Sequence, residues 1–208
     1  MEEAKATTAD PLSGRTPRVI TGGDVGLDAR KAARSNRGRP LSTQDLILIA
    51  VLLAAGAVLK LTVASFLSFA GMKPNFVIAM YCLAIILTRP KVGQSLIIGL
   101  LAGLMCQISL LNATPLVNIP SEALGALACG LLIRIPLKVG KLNLNPLVST
   151  FLSTVVSGYT FALLVGTMNG LSLPVILITY AVMVFGTGLF NAILVQILTP
   201  LLRKVLKR

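Results

Sequence analysis

The sequence predicts an all-α integral membrane protein with six transmembrane helices. The chain has 208 residues and is 55% hydrophobic. Over the 163 residues from Leu46 to Arg208, eleven Lys or Arg accompany a single acid, Glu122. Those charges fall in short clusters between long apolar runs. Water-facing helices need charges of both signs along one face, and this stretch lacks them. A bilayer core of about 30 Å asks instead for spans of ~20 apolar residues.

Residues 1–43 are polar, with no apolar core that would make a secretory signal. They are expected to form a disordered basic tail ahead of a membrane domain at 44–208. Five cations and no acid lie between Arg30 and Arg39. Arg37-Gly38-Arg39-Pro40 matches the core of a minor-groove DNA hook. A juxtamembrane segment meeting anionic lipid is the favoured reading, with no nucleic acid as partner.

The first span is expected at 44–69, with Ser42 or Thr43 and Asp45 as its N-terminal cap. The others follow at 74–87, 92–111, 120–135, 146–168 and 173–202. The last two come from one charge-free stretch, Leu142–Leu202, of 61 residues. Asn169-Gly170 and then Pro174 divide it. Prolines 74, 90, 115, 120, 136, 146, 174 and 200 mark most borders. One side receives the basic tail, Arg89 and Lys91, then Arg134, Lys138 and Lys141, then the C-terminal cations. The other receives Lys73 alone. The positive-inside rule therefore puts both termini in the cytoplasm of a multi-pass cell (plasma) membrane protein.

The chain contains no histidine, so the commonest general base and metal ligand is missing. Cys82, Cys106 and Cys129 sit within apolar runs and read as small packing residues. One glutamate without histidine builds neither a hydrolase nor a metal site, and no phosphate-binding G-x-x-x-x-G-K-[ST] loop is present. An enzyme, a metal and a cofactor are accordingly not expected.

Isolated charges inside a membrane are costly and usually functional. Lys73 and Glu122 fall at the outer ends of their spans, together with Asn75, Asn112 and Asn118, while Asn191 lies within the sixth span. Two lysines and a glutamate can clamp a zwitterion. Lys60, roughly 22 Å into the first span, reads more readily as snorkelling outward. Ala50, Ala54 and Ala57 form a small-residue face suited to a partner helix. Gly99 and Gly103, and Ser149, Ser153 and Ser157, read as packing faces inside the bundle.

The run Phe66-Leu67-Ser68-Phe69-Ala70-Gly71-Met72-Lys73-Pro74-Asn75 resembles the F-L-x-x-G-M-K-P-[DN] signature of the bacterial tryptophan-transporter family. That family is similar to the substrate-binding (S) components of energy-coupling-factor (ECF) transporters. Ala50 to Ala57, Asn118-Ile119, and Leu189-Phe190-Asn191 with Pro200 fit the same pattern. The resemblance covers about residues 44–208. It implies a six-helix, S-component-like bundle that captures tryptophan, another amino acid or a vitamin from outside. ATP hydrolysis would come from a transmembrane coupling protein and two ATPases of an ECF module. The implied substrate site comprises Lys73, Asn75, Glu122, Asn118, Asn191 and Met72, and the implied docking face Ala50, Ala54 and Ala57. A self-sufficient small carrier and a non-transporting membrane scaffold are the alternatives.

Overall fold

A computed structural model describes residues 38–66, 75–108, 114–139 and 142–206. Among them are six α-helices: α1 Thr43–Phe66, α2 Val77–Thr88, α3 Val92–Met105, α4 Asn118–Leu132, α5 Asn145–Met168 and α6 Leu173–Val205. A 3₁₀ turn, Pro115–Val117, leads into α4. The helical expectation holds, with one addition. Lys138–Val139 and Leu142–Asn143 pair antiparallel between α4 and α5. The expected tail falls outside the described residues up to residue 37.

Local chemistry sets the borders. Ser42 Oγ accepts the Asp45 N–H at 3.3 Å, and Asp45 Oδ2 accepts the Ser42 N–H at 3.0 Å. This reciprocal cap starts α1. α5 and α6 begin with proline in the first turn, where its missing N–H costs nothing. Between them Gly170 adopts φ +70°, and Leu171 N–H returns to the Gly166 carbonyl at 2.9 Å. This is the glycine-terminated helix end that Asn169-Gly170 foretold.

Four stretches are long and apolar enough to cross a membrane: Thr43–Thr62, Pro115–Leu132, Asn145–Met168 and Leu173–Val205. α2 and α3, at 12 and 14 residues, reach only about 18 and 21 Å. Every residue of α2 is buried, and the helix packs against all five others. Around it, large apolar side chains such as Leu46, Val51, Val58, Leu101, Ile178, Val182 and Ile197 face outward. An apolar girdle of this extent is stable in lipid.

Small residues let the inner helices close. A Cβ built on Gly99 would come within 2.9 Å of Ala123 Cα, and one on Gly103 within 2.8 Å of Ile119 Cα. α3 thus lies against α4 through its glycines, as the internal-packing reading expected. Gly56 does the same for α1, where a Cβ would stand 3.0 Å from Val77 Cα. Ala50 and Ala54 remain exposed and Ala57 is half-buried.

The start of α1 and the ends of α2 and α4 meet at one end of the bundle. Arg39 bonds Asp45 at 3.0 Å and donates to the Thr88 carbonyl at 3.1 Å. Arg134 donates to the Pro90 carbonyl at 2.8 Å. Burial and the nearby Arg89 press the Arg134 guanidinium below its usual value. Arg39 is therefore tied to the bundle and does not project as a free hook.

Candidate functional site

A buried polar cluster is built where α2, α4, α5 and α6 meet. Glu122, on the second turn of α4, is fully buried. Asn75 Nδ2 donates to its Oε1, and Ser157 Oγ donates to its Oε2 at 3.4 Å. Asn75 Oδ1 accepts the Val77 N–H at 3.3 Å. One amide thus starts α2 and holds the carboxylate. From α6, Asn191 Nδ2 donates to the Asn75 carbonyl at 3.1 Å and to Thr154 Oγ1 at 3.4 Å.

Three of the residues singled out from the sequence, Asn75, Glu122 and Asn191, are therefore joined. Asn118 sits one turn ahead of Glu122 on α4 and is buried. Its Nδ2 donates to the carbonyls of Thr114 and Pro115, at 3.4 and 3.1 Å, so it shapes the entry to the helix. Met72 and Lys73 lie outside the described residues, as does Asn112.

Two expectations need correction. Glu122 was placed near a membrane border by its position within its own span. Its partner Ser157 is the thirteenth residue of the 24 in α5, so the carboxylate lies near mid-depth of that helix. The reason is that α4 starts deep, alongside the middle of a longer neighbour. Lys60 was expected to snorkel outward. Instead it is 3% exposed, and its Nζ donates to Cys106 Sγ at 3.6 Å. It shares the inward face of α1 with Ile49, Leu53 and Gly56, and the four-residue step from Gly56 is the signal that marks this face.

Sequence reasoning also missed Tyr81, Thr154 and the role of Ser157. The buried Tyr81 hydroxyl lies close to Glu122 and Ser153, with no hydrogen bond of ordinary geometry among the described residues. Gly125 leaves it room, since a Cβ there would strike that hydroxyl and approach Ser157 Cβ to 2.7 Å. Ser153 Oγ donates to the Gly125 carbonyl at 2.7 Å and accepts from Cys82 Sγ at 3.2 Å. The Ser149/Ser153/Ser157 face is internal, as expected. All three cysteines are buried and free.

The arrangement gathers one buried carboxylate, two amides and several hydroxyls inside an apolar helical bundle. A family model described as "Tryptophan transporter TrpP" matches residues 42–207. The chain belongs to this family. A relative from Bacillus subtilis (strain 168), a "Probable tryptophan transport protein", is 28% identical over 174 residues, covering 81% of this chain and 95% of the relative. No solved structure matches. Family membership, with the apolar helices, makes the chain a multi-pass membrane transporter, and the match spans every described helix.

Proposed function

We propose that this chain is the substrate-binding subunit of an energy-coupling-factor type importer, and that it captures tryptophan from outside the cell. The observation that carries the reading is the buried Asn75–Glu122–Asn191 cluster inside a chain of the tryptophan-transporter family. Asn75, Glu122 and Asn191 contact the solute. Lys73 and Met72, two and three residues before Asn75 in the chain, complete the site, and Asn118 holds its rim. All six helices cross or enter the bilayer, with both termini in the cytoplasm. The basic tail meets anionic lipid there.

No phosphate-binding loop occurs in the sequence, so energy comes from a coupling protein and two ATPases. The face carrying Ala50, Ala54 and Ala57 receives the coupling protein. Two of those three alanines are exposed, and small residues allow a second helix to come close.

The chain lacks tryptophan, so bound ligand is the only indole in the purified protein. Titrating tryptophan should give a saturable shift of indole emission, and an emission that does not move would sink the reading. Vesicles holding this chain alone should not accumulate tryptophan. Adding the ECF module and ATP should start uptake. Accumulation by the chain alone would make it a self-sufficient carrier. Ala54→Leu should block uptake yet spare binding, because its bulk holds the partner helix off.

A further inference from the structure

Lys60 and Glu122 are both buried, at 3% and 0% exposure. They are opposite in charge and feel one another electrostatically, yet no salt-bridge contact joins them. Each is held by a weaker partner. The Lys60 ammonium, with three donors, has a thiol as its hydrogen-bond acceptor among the described residues. Glu122 is held by the neutral amide of Asn75 and hydroxyl of Ser157. Two charges withdrawn from solvent offset part of their lost hydration when they meet an opposite charge directly. Holding them apart leaves both ready for a counter-charge brought in from outside.

Their anchors keep them apart. Lys60 is drawn to Cys106 at the end of α3, whereas Glu122 is gripped by the residue that starts α2 and by the middle of α5. A free amino acid carries both counter-charges on one carbon, so it can satisfy both groups at once. We propose that Lys60 receives the carboxylate of the bound amino acid and Glu122 its ammonium group. The pair thereby selects zwitterions over amines and acids bearing the same side chain. This assignment rests on the reading of the chain as a tryptophan-binding subunit and adds a residue that reading did not include.

The test compares three ligands on the purified full-length protein by indole emission: tryptophan, tryptamine without the carboxylate, and indole-3-propionate without the ammonium group. The unaltered protein should prefer tryptophan to either analogue by about 100-fold or more, as sites with buried polar receptors do. Lys60→Met should weaken tryptophan by a comparable factor and leave tryptamine within about 3-fold, removing the preference between those two. Glu122→Gln should do the converse, abolishing the preference over indole-3-propionate. Lys60→Arg should retain most of the discrimination. Should Lys60→Met not fold, Lys60→Gln, which can still donate to the thiol, carries the same comparison.

A purely structural lysine would weaken every ligand alike, and that result overturns the assignment. So does a preference over tryptamine that survives in Lys60→Met but vanishes in Lys73→Met. If the unaltered protein binds no indole at all, the transporter-subunit reading falls too. If it binds tryptophan and the ratios do not move, only the pairing falls.

Discussion

Asp45 and Glu122 are the two acids among the described residues, and both are fully buried. They are treated in opposite ways. Asp45 is closed into a knot by Arg39 at 3.0 Å and by the Ser42 hydroxyl at 2.8 Å. That knot also fastens the start of α1 to the end of α2 through the Thr88 carbonyl. Glu122 is held by an amide and a hydroxyl, while the buried ammonium near it rests on a thiol. A buried charge neutralised within the fold has much of its desolvation cost offset, and removing its partner is destabilising. A charge kept from direct neutralisation costs stability and remains available to a ligand. The same side-chain chemistry thus gives a fastener at one place and, on the function proposed above, a receptor at the other.

Exchanging the charges tests that contrast. The largest effect should come from Glu122→Gln. Tryptophan affinity should fall about 100-fold, near 2.7 kcal/mol, with the melting temperature held or raised, because a neutral isostere ends the cost of burying a charge. A melting temperature that drops with affinity would make Glu122 a fastener as well. Next comes Arg39→Ala, which leaves Asp45 buried without its guanidinium. It should cost about 2 kcal/mol of stability, less than a wholly buried pair because Arg39 is half exposed, and leave the affinity of the folded protein unchanged. Thermal unfolding beside emission titration separates the two. Smallest should be Tyr81→Phe. Removing a buried hydroxyl that makes no hydrogen bond of ordinary geometry among the described residues should leave stability equal or about 0.5 kcal/mol higher, with tryptophan affinity unaltered. A clear loss of affinity would add that hydroxyl to the binding site.

Much of this was legible in the residues. The six helices fall close to where the prolines, the Asn169-Gly170 turn and the charge clusters put them, since each of these ends a helix for a local reason. The glycines of α3 and the serines of α5 read correctly as internal faces because spacing of three and four residues survives any tertiary arrangement. The depth of Glu122 did not read correctly. Distance along a span says how far a residue lies from the end of its own helix, and nothing of where that end sits beside a longer helix. Lys60 was misjudged for a related reason. Its long stem permits either direction, and packing around Gly56 decides between them. Thr154 and the part Ser157 plays beside Glu122 were missed because a lone hydroxyl in an apolar run can equally bond its own helix, as Thr160 does with the Val156 carbonyl at 2.7 Å.

The wholly enclosed α2 has a bearing on where such a protein can work. Helices with a lipid flank tilt when bilayer thickness changes. α2 has no such flank, so acyl chains exert no direct lateral force on it and Asn75 at its tip keeps its depth relative to its five neighbours. Solute affinity measured in thin and thick vesicles should therefore agree, and the outer helices alone would register the change of lipid.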